Sequence, residues 1–223
     1  MGDSDAVGTD WQQWHEHYDD PDSDLVRRLG TVRDEVRRLL AERQGAPIRV
    51  TSICAGDGRD LLPILASSEG DVDAVLLEID ADLAERARAA AAASGLGRVR
   101  VHTADAGLSS TLADLPPADV FLACGVFGNI TDADLETTIG ALPAFVVPGG
   151  AVIWTRGASV GDGELSAYAG DPADLVREVF ARHGFTEERL VRPADAGFRV
   201  GVHRFTGGAS HAALPERLFS FAR

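Results

Sequence analysis

The chain has 223 residues, between one and two domains on a scale of roughly 150 residues each. Hydrophobic residues make up 45 % and charged residues 25 %, ordinary globular usage that excludes wholesale disorder and fibrous repeats. Acidic residues number 35 against 21 basic ones, for a net charge of −14, a field that disfavours a nucleic-acid partner.

Every basic residue is arginine, which excludes a Schiff-base lysine and a Walker-type phosphate lysine. No apolar run approaches the roughly 20 residues that span a bilayer. The start, MGDSDAVGTDWQQ, lacks the basic flank and apolar stretch of a secretory signal. Cys54 and Cys124 are the only cysteines and both lie in apolar, strand-like runs, so a reduced, cytoplasmic protein is expected. No HExxH, CxxC or carboxylate cluster points to a metal.

In chain order, Trp11-Gln-Gln-Trp14-His-Glu-His-Tyr18 is unusually aromatic for a chain with 6 % aromatic residues. A helix there places Trp11, Trp14, His15 and Tyr18 on one side. Segment 22–44 reads as a helix, because Leu25, Leu29, Val32, Val36, Leu39 and Leu40 recur at spacings of three and four. Asp22 or Ser23 caps its start, and Gly45 and Pro47 punctuate its end. Residues 1–45 are thus expected to form a helical cap or lid, and 46–223 the main domain.

From Ile48 the pattern becomes strand, glycine turn, helix, repeated. IRVTSICAG is the first strand and DLLPILASS its helix; DVDAVLLEID is the second, followed by the alanine-rich ADLAERARAAAAASG. RVRVHTAD and ADVFLACG are the third and fourth strands. DADLETTIGALPAFV is a helix, PGGAVIWTRG the fifth strand and DPADLVREVFARHGF a further helix. FTEERLVRP and FRVGVHRFTG pair antiparallel at the end. This alternation predicts an α/β fold: a Rossmann-like, seven-stranded, mostly parallel sheet with an antiparallel C-terminal strand pair.

In such a sheet, ligands bind outside the carboxyl ends of the strands. The first strand ends Cys54-Ala55-Gly56-Asp57-Gly58-Arg59-Asp60, where two glycines allow close backbone approach and a helix start offers N–H groups to an anion. Glu78 ends the second strand about 20 residues on, where an acid can hold ribose hydroxyls. Asp105 follows the third. The arrangement suits a dinucleotide or S-adenosylmethionine. A dinucleotide fingerprint needs Gly-x-Gly-x-x-Gly, and neither frame supplies it: from Gly56 the third position is Leu61, and from Cys54 the outer positions are Cys54 and Arg59.

Over roughly residues 46–206 the chain resembles the class I S-adenosylmethionine-dependent methyltransferase family, through ICAGDGRD, VLLEIDADLAERAR, TADA and VVPGGAVIW. WHEHYDDPDS and CGVFGNITDAD look like an uncharacterised actinobacterial branch of it. The resemblance implies S-adenosyl-L-methionine as cofactor. Cys54, Ala55, Gly56, Asp57, Gly58 and Asp60 would hold its methionine half, Glu78 its ribose and Asp105 its adenine, with Ile79 and Ala106 as further cofactor contacts. Cys124 and Gly125, after the fourth strand, would complete the pocket. Where the family usually has glycine this chain has Cys54, and where it has an acid this chain has Ser52.

The acceptor side rests on single residues. His15, His17, Tyr18 and His203 are the candidate bases for a hydroxyl or amine acceptor, with His15 and Tyr18 favoured by their place on an aromatic N-terminal lid. Trp14, Phe127, Asn129 and Arg156 are the candidate substrate contacts, Arg156 as a partner for an acceptor carboxylate and Trp154 beside it. A small-molecule methyltransferase is the expected function. A protein that binds the cofactor without transferring the methyl, and an NAD or nucleotide-sugar enzyme on the same architecture, are the alternatives.

Overall fold

The computed structural model describes residues 23–43, 46–158, 166–207 and 213–222. Seven strands form one sheet: β1 Ile48–Ile53, β2 Val72–Glu78, β3 Val99–Thr103, β4 Ala118–Ala123, β5 Val146–Gly157, β6 Phe185–Val191 and β7 Phe198–Phe205, in the order β3-β2-β1-β4-β5-β7-β6. The first five run parallel, and β7 is antiparallel to both β5 and β6. The order reverses at β1 and β4, so the loops after these two strands flank the switch point where a doubly wound sheet opens a crevice.

Among the described residues six helices cover the two faces: α1 Asp24–Glu42, α2 Leu62–Ala66, α3 Ala81–Ala93, α4 Ser109–Ala113, α5 Asp132–Ala141 and α6 Pro172–Arg182. Val32, Val36, Leu39 and Leu40 of α1 pack with α2, α3 and one sheet face; Leu112, Leu135, Ile139, Val176 and Phe180 pack on the other. The helix read from the 22–44 stripe is therefore present, capped by the Ser23 hydroxyl, and it belongs to a helical layer over β7 and β5. Among the described residues no helix is long and apolar enough to cross a membrane.

Two expected helices are shorter than their patterns. DLLPILASS yields only the five residues of α2, because Pro63 fits a helix start and the chain before it is already turned by Gly58. The helix from Asp132 ends at Ala141 and tightens into a 3-10 turn over Leu142–Ala144, where Pro143 cannot continue the i→i−4 ladder.

Candidate functional site

The ends of β1, β2 and β3 meet in one cluster. Glu78, the last residue of β2, is 7 % exposed. Its Oε2 accepts the Gly56 N–H at 2.7 Å and its Oε1 the Asp80 N–H at 2.9 Å. A carboxylate has about four acceptor positions, so two remain for a pair of hydroxyls. The next residue, Ile79, is 64 % exposed, a large apolar side chain presented at the same strand end.

The glycine loop is a folded turn. Gly56 and Gly58 adopt φ of +56° and +75°. A Cβ on Gly58 would lie 2.7 Å from Leu62 Cδ1 and 2.9 Å from Leu76 Cδ2, so glycine is required there on two counts. Cys54 also sits at positive φ, +50°. That geometry accounts for a glycine preference at this position, and cysteine holds it at a local cost. Ser52, two residues earlier, is buried inside β1.

The expectation that α2 offers free N–H groups to an anion does not hold. Gly58 N–H is taken by Ala55 O, and those of Leu61 and Leu62 by Gly58 O. Asp57 and Arg59 pair within the loop at 2.5 Å, and Arg33 of α1 donates Nε and Nη2 to Arg59 O at 2.9 and 2.6 Å. These contacts shape the loop. Asp60 is different: it is half-buried, its Oδ1 has no hydrogen-bond partner, and burial pushes its carboxyl up to about 6 against the opposing pull of Arg28 and Arg33.

Both cysteines are free thiols pushed up by burial, Cys54 further by Glu78 and Asp105, and Cys124 by Asp60. Raised in this way, the two thiols are poor nucleophiles near neutrality.

Asp105 follows β3. Its Oδ1 accepts the Gly107 N–H at 2.8 Å, and its Oδ2 accepts Nη1 and Nη2 of Arg217, both at 3.1 Å. Arg217 lies in a C-terminal segment over 216–222 that the sequence patterns did not single out. Ala106 beside the pair is buried.

After β4, Gly125 adopts φ +77° and gives its N–H to Thr155 Oγ1 at 2.8 Å. Asn129 donates Nδ2 to Gly125 O at 2.6 Å, so its amide closes the loop on itself. Phe127 is fully buried, its ring 6.3 Å from Trp154 and 6.2 Å from Phe180 between centroids. Phe127 was expected among the substrate contacts, with Trp154 beside Arg156, but the structure places both rings in the aromatic core.

His203 is also a core residue. It is 1 % exposed, stacks on Phe180 at 4.3 Å, and accepts the Trp154 Nε1–H on Nδ1 at 2.9 Å. Burial lowers its pKa to about 4, so it is no base for an acceptor. The indole is accommodated by Gly201, where a Cβ would lie 2.2 Å from the ring. Arg156, at the end of β5, is 6 % exposed; Nη2 is 3.7 Å from Asp132 Oδ1 and Nη1 has no partner. Its guanidinium is thus already paired, though incompletely. Trp14, His15, His17 and Tyr18 lie outside the described residues.

The structure therefore brings the loop 54–60, Glu78, Ile79, Asp105, Cys124 and Gly125 to one edge of the sheet, and leaves Phe127, Trp154 and His203 in the core. The fold is shared with solved structures. Magnesium protoporphyrin IX methyltransferase from Synechocystis PCC 6803, crystallised with bound SAM, is 18 % identical with a TM-score of 0.65, covering 88 % of this chain and 91 % of that one. An O-methyltransferase family protein from Burkholderia thailandensis is 17 % identical with a TM-score of 0.63, covering 82 % and 58 %. The [4+2]-cyclase SpnF is 15 % identical with a TM-score of 0.58, covering 78 % and 82 %. At these identities the likeness speaks for the fold. Among curated proteins none matches. Over residues 27–169 the sequence matches the family described as "Putative methyltransferase". With well over half of its length inside that match, the chain belongs to this methyltransferase family.

Proposed function

We propose that the chain is an S-adenosylmethionine-dependent methyltransferase acting on a small-molecule acceptor. The observation that carries this reading is the Glu78 carboxylate, held by the Gly56 and Asp80 N–H groups with acceptor positions to spare. A rigid, two-oxygen acceptor at the switch point suits a ribose diol, and the exposed Ile79 beside it suits an adenine face. Asp105 then receives the adenine amine, with Ala106 behind it. The 54–60 loop, Cys124 and Gly125 surround the methionine half, and the unpartnered Oδ1 of Asp60 accepts from its ammonium.

When bound, the cofactor supplies an electrophilic methyl on a sulfonium. The protein's part is to hold an acceptor in line with that carbon, and positioning alone can lower a barrier by roughly 7–11 kcal/mol. In this reading the cap expected over 1–45 is supplied by the chain before α1, since α1 itself packs on the sheet face. Support comes from where α1 begins. Gly197, which precedes β7 at the carboxyl edge of β5, gives its N–H to Asp24 at 2.6 Å, and Arg27 pairs with Asp195. The chain therefore enters α1 beside the proposed site. Trp14, His15 and Tyr18 precede that point, His15 and Tyr18 as base candidates; Asn129 and Arg156 stand at the acceptor side.

The net charge of −14 favours a small acceptor over nucleic acid. The two free thiols suit a reducing cytoplasm, and the resemblance of WHEHYDDPDS and CGVFGNITDAD suits an actinobacterial branch. The test is transfer of labelled methyl from S-adenosylmethionine in the presence of fractionated metabolites, tRNA and DNA. Label in a small molecule is expected; label in nucleic acid sinks the acceptor class. Saturable cofactor binding with no label anywhere would favour a cofactor-binding protein without transferase activity.

A further inference from the structure

We infer that Arg217, from the C-terminal segment, is a positioning residue that orients Asp105 to read the 6-amino group of the cofactor's adenine; this rests on the adenine role proposed for Asp105. The segment is built onto the Asp105 loop. Leu218 N–H donates to Gly107 O at 2.7 Å, Ser109 N–H to Glu216 O at 3.1 Å, and Leu108 and Arg217 form an antiparallel bridge. Leu218 and Phe219 are buried, and Thr138 on α5 donates its hydroxyl to Leu218 O at 3.1 Å. Gly107 leaves no room for a side chain: a Cβ would lie 2.4 Å from Phe219 O, 2.9 Å from Asp105 Oδ1 and 3.0 Å from Arg217 Nη1. This close approach is what lets the guanidinium reach the carboxylate.

The pairing matters for orientation more than for stability. Both side chains are substantially exposed, 46 % for Arg217 and 31 % for Asp105, and exposed pairs contribute little to folding. Arg217 also donates Nη1 to Phe219 O at 3.2 Å, so its own position is fixed by the segment. With two donors from Arg217 on Oδ2 and one from Gly107 on Oδ1, three of about four acceptor positions are filled. One remains, on Oδ1. A single N–H donor in that direction is accepted, and a carbonyl oxygen there is repelled.

The experiment is calorimetric titration of the full chain with S-adenosylhomocysteine and with S-inosylhomocysteine, in which a carbonyl replaces the 6-amino group. The wild type should favour the adenosyl compound by about 10–100-fold, the range for losing a hydrogen bond to a charged group. Asp105→Ala should abolish that preference; if it persists, the adenine role of Asp105 itself falls, whatever Arg217 does. Arg217→Met should cut the preference by about tenfold without weakening S-inosylhomocysteine, and Arg217→Lys should restore part of it. Thr138→Val, which loosens the same segment away from Asp105, should lower Tm and leave the preference intact. The inference is overturned if Arg217→Met keeps the wild-type preference, whether or not both ligands bind more weakly, or if it tightens adenosyl binding, which would mean that Arg217 competes with the adenine.

Discussion

Glu78 Oε2 accepts the Gly56 N–H at 2.7 Å, which ties the end of β2 to the turn after β1 across a separation of 22 residues. The bond does two things at once. It fixes the carboxylate's direction, and it holds the loop at positive φ without a ligand. Glu78→Ala removes the acceptor for both Gly56 and the proposed diol, and should weaken S-adenosylhomocysteine binding by about 1–3 kcal/mol. Glu78→Gln keeps one acceptor oxygen and should fall between alanine and wild type. Titration calorimetry ranks the three.

Cys54 at φ +50° separates backbone strain from packing. Alanine keeps the left-handed conformation, which costs about 1–2 kcal/mol in a residue with a Cβ, and also loses the sulfur that packs on the core. Glycine loses the sulfur but relieves the strain. Cys54→Gly should therefore be more stable than Cys54→Ala in chemical denaturation, the reverse of the usual order of these residues in regular elements.

Asp60 gives the site a pH dependence. Its carboxyl, raised to about 6 by burial, is protonated below that pH and cannot then accept an ammonium as a charged partner. Affinity for S-adenosylhomocysteine should rise as pH increases from 5 to 7, and Asp60→Asn should flatten that rise. A wild-type profile as flat as the variant's would remove Asp60 from the ammonium site.

His203 gives the fold a pH dependence of its own. Trp154 Nε1 is a donor only, so Nδ1 must accept and the proton resides on Nε2. The folded-state pKa of about 4 lies below the ordinary 6.5. The native state thus binds fewer protons than the unfolded chain between these values. Its stabilisation is complete above about pH 6.5 and is lost as pH falls toward 4, by about 3 kcal/mol in all. In His203→Phe the denaturation midpoint should fall less steeply over that window, while stability at pH 7 drops because the indole N–H loses its acceptor.

The succession of strands and helices along the chain, the antiparallel pair and the carboxylate at the end of β2 were legible because each leaves a local signature: β-branched runs, glycine turns, and a fixed interval between Gly56 and Glu78. What was not legible lacks local signature. Arg217 and Asp105 are 112 residues apart, and ERLFSFA has no periodicity that announces a segment laid over α4 and α5. SSTLA is a single helical turn with too few residues for an amphipathic pattern. Phe127 stands in the loop after the fourth strand, where substrate contacts are expected, yet its burial is decided by Trp154 and Phe180 from other elements. His203 resembled a base for the same reason: the sequence shows the imidazole, and only the tertiary structure shows the indole that occupies it.

The central claim is that the loop 54–60, Glu78 and Asp105 together form an S-adenosylmethionine site. Calorimetric titration of the wild-type chain with S-adenosylmethionine, S-adenosylhomocysteine and NAD tests it most directly. Saturable, one-to-one binding of both sulfur compounds and none of NAD is the predicted result. Binding of neither sulfur compound, or binding of NAD in their place, would contradict the account and leave the methyltransferase likeness to the fold alone.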